Sequence, residues 1–239
     1  MNAKHALSLV LIGAALGLAP GARGDVAAQD KPQPQVKLPE SGVPQVITME
    51  GKFVRAAYNN EGYVIIGYQP ANRSIGEDWL LIDVGITVRD GVKNYTMKRE
   101  AFSLETPDGK THPLPTIEEQ RKGNTQALQN REKVQRDSIN YFPPSASRAC
   151  AMTFFPDLTS RAMPQDDVEL SQTRACLGRL FFHVPGGIQY GQHWLNVKFE
   201  QSLIRVPFRI LTKDEEKFFS KNYKSIEKQV EEAFKPKKK

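Results

Sequence analysis

The chain has 239 residues, of which 39% are hydrophobic and 25% are charged. This length and composition predict one globular domain or two small ones, and they exclude a large multidomain machine and a wholly disordered chain. The formal net charge is +6, but four lysines at the C-terminal end carry most of it. A near-neutral remainder argues against a nucleic-acid-binding face, because phosphate contacts need Lys and Arg spread over a surface.

Residues 1–28 have the composition of a secretory signal peptide. Lys4 precedes an apolar run over 6–18, and small residues end the segment. The run is too short to span a bilayer as a helix. Cleavage is predicted before Gln29, with a cut after Gly24 as the alternative. We therefore expect an exported protein, either periplasmic or secreted.

The chain contains two cysteines, Cys150 and Cys176. In an oxidising compartment two such residues predict one disulfide bond, which would close a loop of about 27 residues. On the chain-entropy model this closure stabilises the fold by about 3 to 4 kcal/mol. A redox or zinc pair is the weaker interpretation, because the sequence has neither a Cys-x-x-Cys spacing nor histidines close to these positions.

Proline spacing and side-chain alternation divide the next part of the chain. Residues 29–46 are rich in proline and predict an extended linker. The following domain, 47–211, begins with β-type runs at 52–58, 63–68, 79–88, 94–98 and 102–106. In the run 79–88, apolar residues alternate with Asp83, Gly85 and Thr87. This period of two predicts one buried face and one solvent face.

The β pattern is interrupted over 116–176. Thr116 and Glu119 form the pattern of a helix-capping box, but the segment that follows has few large apolar residues. It is either a polar helix or a mobile insertion. Three more strands are predicted at 179–184, 193–200 and 202–211. Pro207 should place the last strand at a sheet edge or in a bulge, because proline has no N–H to donate.

A second capping box, Thr212 with Glu215, predicts a helix over 212–235. Its large apolar residues recur at steps of three and four and form a single stripe. The stripe either docks on the β domain or binds a partner. A lysine tail, 236–239, ends the chain. The lysines Lys235, Lys237, Lys238 and Lys239 would allow a salt-sensitive contact with an anionic surface.

Runs of strands without alternating helices predict a mainly β protein, an antiparallel β-sandwich with a polar, partly helical insertion and a C-terminal amphipathic helix. The segments 102–110 (FSLETPDGK) and 178–185 (GRLFFHVP) resemble paired signatures of small immunoglobulin-like domains in secreted bacterial proteins. The resemblance implies an immunoglobulin-like, extracytoplasmic sandwich used for interaction. It brings no catalytic residues with it.

The stronger catalytic motifs do not occur in the sequence, and we predict no catalytic, cofactor or metal residues. His183 and His193 flank a predicted hairpin, but the register that aligns the apolar faces sends the two histidines to opposite sides. His112 is predicted in an exposed turn. The neighbouring acids Asp166 and Asp167 lack a spacing that would fix a general acid against a base, so we expect them to be solvated.

These features predict an exported, non-enzymatic binding or structural module of the cell envelope or extracellular space. Its partner would be an envelope protein or a surface polymer, with no specific nucleic acid and no membrane span after cleavage. The insertion 116–176 is the first candidate for recognition, since loops on a rigid sheet commonly bind. The alternative is an extracytoplasmic hydrolase with a loop-built site, which would need His183 or His193 beside a carboxylate in a pocket.

Overall fold

The structure is a computed structural model that describes residues 45–123, 125–155 and 163–234. The predicted signal peptide, nearly all of the predicted linker and the lysine tail lie outside these residues. The described strands are β1 (Val46–Gly51), β2 (Val54–Tyr58), β3 (Gly62–Gly67), β4 (Trp79–Val88), β5 (Tyr95–Lys98), β6 (Phe102–Glu105), β7 (Thr111–Pro113), β8 (Arg148–Met152), β9 (Asp167–Leu170), β10 (Arg174–His183), β11 (Gly191–Lys198) and β12 (Leu203–Ile210). The α-helices are α1 (Gln69–Asn72), α2 (Ile117–Lys122), α3 (Gln126–Val134) and α4 (Lys213–Phe234).

The strands form three sheets. The largest has the order β1-β2-β3-β4-β10-β8, the second has the order β12-β11-β6-β7, and β5 pairs with β9. Every pair is antiparallel except β8 with β10. Apolar side chains of the two larger sheets, such as Ile82 and Leu180 on one and Leu195 and Val206 on the other, belong to one buried core. The predicted fold class, a mainly β sandwich with antiparallel sheets and a C-terminal helix, is confirmed.

The central strands β3 and β4 of the six-stranded sheet are buried on both faces, which differs from the prediction for β4. Asp83 is 5% exposed and Thr87 is fully buried. Phe142, from the segment after α3, lies over Gly85, where an added Cβ would come within 2.6 Å of the ring. The alternation was correct, but the predicted solvent face was wrong because a distant segment covers it. The polarity of neighbouring residues shows that side chains alternate along a strand, but it does not show which other segment packs on each face.

Part of the segment 116–176 packs on the β domain. α3 lies against β4, and Leu128, Gln129 and Glu132 are buried. Arg131 of α3 pairs with Glu77 at 2.8 Å. The polar-helix interpretation is therefore correct for α2 and α3. β8 and β9 were not predicted, because both strands are short.

The disulfide between Cys150 and Cys176 is present. It joins the neighbouring strands β8 and β10 at positions that face each other in register, with 4.2 Å between the Cα atoms. The bond therefore ties the edge strand β8 to the sheet. This confirms the predicted pairing.

β10 and β11 do not form the predicted hairpin, since they belong to different sheets. The connection between them pairs elsewhere: the amide of Val184 donates to the carbonyl of Asp78 at 2.7 Å, and the amide of Ile188 donates to Glu77 at 2.9 Å. Gly186 and Gly187 both have positive φ, near 90°, which turns the chain away from its own strand. The chain thus crosses from one sheet to the other.

Pro207 lies in β12, the edge strand of the four-stranded sheet, as predicted. One side chain forms hydrogen bonds with backbone groups on the outer side of β12. The Gln45 amide donates to the carbonyl of Arg205 at 2.7 Å, and its oxygen accepts from the amide of Arg205 at 3.0 Å. The predicted edge position is therefore confirmed.

The apolar stripe of α4 docks on the domain. The helix packs along β1, and Phe219 and Phe234 contact the buried core. The Arg55 guanidinium lies 5.6 Å from the Phe219 ring centroid, and Glu216 pairs with Lys52 at 2.9 Å. Of the two alternatives for this helix, docking is the one observed. None of the helices in the described ranges has the length and apolar character needed to cross a membrane.

Candidate functional site

A groove of about 710 Å³ opens on the covered face of the six-stranded sheet. Its walls come from β4, β10, the end of α3 and the segment after α3. We call it the α3 groove. The residues that line it are Asp83, Glu132, Lys133, Arg136, Asp137, Ser138, Ile139, Asn140, Leu177, Gly178 and Arg179.

Strand register places the first two charged groups of this groove. Asp83 of β4 lies directly opposite Arg179 of β10. Because side chains alternate along a strand, both point away from the sandwich core that their neighbours Ile82 and Leu180 enter. α3 then packs over this face and brings Glu132 to it, 49 residues further along the chain from Asp83. Glu132 is 1% exposed.

Two arginines neutralise Glu132. The Arg136 Nη1 donates to one carboxylate oxygen at 2.9 Å, and the Arg179 Nη1 donates to the other at 3.4 Å. A buried carboxylate needs such partners, because an unpaired charge in a low-dielectric environment is very unfavourable. Glu132 is therefore the buried anion with which both arginines of the groove pair.

The surroundings of Asp83 disfavour the ionised form of its carboxyl group. Burial, followed by the negative charge of Glu132, raises the pKa of Asp83 to about 7, and Arg136 and Arg179 offset only part of this effect. A hydrogen bond between the Asp83 and Glu132 side chains contributes in the same direction. The Asp83 carboxyl group therefore changes between its neutral and ionised forms near neutral pH.

The groove contains hydrogen-bond acceptors without donors. Within the described ranges, Oδ2 of Asp83 and Oδ2 of Asp137 are buried and have no hydrogen-bond partner. Most buried polar atoms in proteins are paired, so two such atoms in the wall of one groove require an explanation. Chemically, the arrangement can accept hydrogen bonds from a ligand and can hold or release one proton.

A second groove, of about 880 Å³, lies between the β5–β9 ribbon and the start of α2. The buried cation of this second groove, Arg99, already has partners. It donates to the carbonyl of Pro115, pairs with Asp166 at 3.4 Å and lies over the ring of Phe155. No buried side-chain acceptor or donor without a partner lies here among the residues that the structure places. Asp166 and Asp167 are exposed, as expected.

The histidines do not converge. His183 is exposed and stacks on Trp79 with ring centroids 4.9 Å apart. His193 is buried in the other sheet against Phe208, and burial lowers its pKa to about 4. His112 lies half-buried in β7 and not in an exposed turn, which corrects that prediction. In the described part of the chain, no three His, Cys, Asp or Glu side chains are grouped to hold a metal.

Neither His183 nor His193 lines the α3 groove. Three acids line it, Asp83, Glu132 and Asp137. Sequence analysis missed them because Asp83 was assigned to a solvent face and the other two lie in a segment interpreted as a polar helix or a mobile insertion. One signal was available. Asp83 is the single charged residue within the ten residues of β4, where an exposed face would carry several.

Comparisons with protein-family models, with curated proteins and with solved structures give no significant match. The structure shows a mainly β sandwich, and no comparison supports the resemblance to immunoglobulin-like domains. A fold of this class does not by itself specify a function.

Proposed function

We propose that this chain is an exported, non-enzymatic binding module that holds its ligand in the α3 groove. Export to the periplasm or the exterior is supported by the leader-like composition of residues 1–28 and by the Cys150–Cys176 disulfide, a bond typical of oxidising compartments. An open groove on a β-sheet favours binding as the class of function.

The observation that carries this proposal is the buried acceptor on Asp83. Leaving a buried polar atom unpaired costs about 1 to 3 kcal/mol, and the cost is larger for a charged group. A ligand that supplies a donor to this oxygen recovers that cost on binding. If the groove were only a packing defect, an apolar residue in place of Asp83 would avoid the cost of a buried, unpaired oxygen.

The partner is proposed to be an envelope protein or a surface polymer. An additional contact with an anionic surface is proposed for the lysines at the end of the chain, Lys235, Lys237, Lys238 and Lys239. This contact would weaken as salt is added.

The test is affinity capture from the exported fraction of the producing cells, using the full chain and two matched variants. Asn140→Trp fills the groove from an exposed position in its wall. Asn94→Trp places the same side chain at an exposed position elsewhere. We expect a component that wild type and Asn94→Trp retain and that Asn140→Trp loses, with equal melting temperatures for the three proteins.

Capture that is the same for all three proteins would refute the groove as the binding site. A chain without residues 235–239, assayed from low to high salt, separates the tail contact from the groove. Loss of binding only in that truncated chain would assign recognition to the lysines.

One observation favours a second candidate function, an extracytoplasmic hydrolase. Asp83 and Glu132 form a carboxyl pair in which one member keeps a proton near neutral pH, as a general acid must. The assay is a panel of chromogenic esters, glycosides and peptides with wild type, Asp83→Asn and Glu132→Gln. Turnover that either substitution abolishes would establish the hydrolase, and absence of turnover by wild type on the panel would remove this support.

A further inference from the structure

Building on the proposed binding function, we propose that the α3 groove recognises a cationic group, an ammonium or guanidinium, on its ligand. In this groove, both oxygens of Glu132 accept from arginines, whereas one oxygen on each of Asp83 and Asp137 has no donor among the described residues.

The carboxylates of the groove are unequally satisfied. Glu132 accepts hydrogen bonds from Arg136 and Arg179 on its two oxygens. Asp83 lies directly opposite Arg179 in the strand register, yet that guanidinium reaches Glu132. The geometry thus leaves Asp83, which is more than nine-tenths buried, with one oxygen that no donor reaches.

A second acceptor lines the same groove. Asp137, which follows the end of α3 by three residues, also has a buried oxygen without a partner in the described structure. Two carboxyl oxygens that lack donors favour a ligand group with several donors. An ammonium has three and a guanidinium has five, whereas a hydroxyl has only one. Charge-assisted hydrogen bonds to such groups are also stronger than neutral ones.

The charged groups that face this site come from three elements. Asp83 lies on β4, Arg179 lies on β10, and Glu132, Lys133, Arg136 and Asp137 come from α3 and the turn after it. A ligand cation beside Asp83 favours the ionised carboxyl and so takes the place of the proton that Asp83 holds at lower pH. Binding should therefore release a proton and strengthen as the pH rises.

The size of this effect follows from the titration of Asp83. Its pKa of about 7 makes the ionised fraction rise about tenfold between pH 6 and pH 8. Simple amines remain protonated over this range, since their pKa lies near that of lysine, about 10.4. The affinity for an amine should accordingly rise about tenfold over the same interval.

The experiment is an NMR titration of the ¹⁵N-labelled full chain with putrescine, Nα-acetyl-lysine amide and Nα-acetyl-arginine amide. The neutral controls are 1,4-butanediol and Nα-acetyl-norleucine amide. Comparison of the probes distinguishes a diamine from a basic side chain as the source of the cation. We expect saturable shifts at the backbone amides of the groove with at least one cationic probe and no saturable shift with the neutral controls.

The substitution Asp83→Asn should weaken binding of that probe at pH 8 at least tenfold and abolish its pH dependence. The matched control Asp90→Asn, at an exposed turn position, should change neither. Equal binding of 1,4-butanediol and putrescine, pH-independent affinity, or unchanged binding by Asp83→Asn would each overturn the cation assignment. If no probe shifts the groove while Asn140→Trp still loses the captured component, the cation inference fails and the proposed binding function survives.

Discussion

Asp83→Asn should stabilise the protein at alkaline pH and should change its stability little at acidic pH. The substitution keeps the size and shape of the side chain, and its amide can donate to Glu132. It removes the one feature that makes this position unfavourable, a carboxyl group that must ionise while it is buried beside another carboxylate.

The sign follows from the direction of the pKa shift. The folded-state pKa of Asp83, about 7, lies above the ordinary value of 3.8, so the folded protein binds this proton more tightly than the unfolded chain. The stabilising contribution is complete below about pH 4 and is lost as the pH rises through 7. About three pKa units at 1.36 kcal/mol each correspond to roughly 4 kcal/mol, and relaxation of the groove reduces the expected effect to about 2 to 4 kcal/mol.

The assay is urea unfolding of wild type and Asp83→Asn at intervals from pH 4 to pH 8, with Asp90→Asn as the control. The difference in the free energy of unfolding between Asp83→Asn and wild type should grow by about 2 to 4 kcal/mol over this range. The control difference should stay within about 0.5 kcal/mol, as is usual for surface substitutions. A constant difference for Asp83→Asn would refute the raised pKa of Asp83.

Three further predictions concern the scaffold. Replacing Cys150 and Cys176 with alanine should lower the free energy of unfolding by about 3 to 4 kcal/mol, measured by urea denaturation, and a reductant should then have no further effect. Gly123→Ala places a Cβ within 2.2 Å of the Trp79 ring, so it should cost about 1 to 3 kcal/mol in the same assay; no loss would show that α2 and α3 are not docked on β4. His193 should titrate near pH 4 by NMR, so protonation destabilises the fold as the pH falls from 6.5 towards 4; titration at or above pH 6.5 would contradict its burial.

The sequence alone determined the elements with strong local signals. The alternation over 79–88 matches β4 residue for residue, and the capping box at Thr212 places the start of α4 within one residue. Pro207 indicated an edge strand or a bulge because it lacks a donor, and the cysteine count predicted the disulfide. Each of these signals depends on neighbours within a few residues, so it does not require knowledge of the rest of the fold.

Tertiary structure alone decided the partners of those elements. β10 and β11 are consecutive strands, yet the turn between them pairs with residues 76–78 and sends them to different sheets. The solvent face expected for β4 is buried because Phe142, more than fifty residues away, covers Gly85. The groove depends on the same kind of contact: Asp83 and Glu132 are unremarkable as single residues, and their charges interact only because α3 packs across the sheet. Electrostatic coupling depends on distance in space, which the order of residues does not specify.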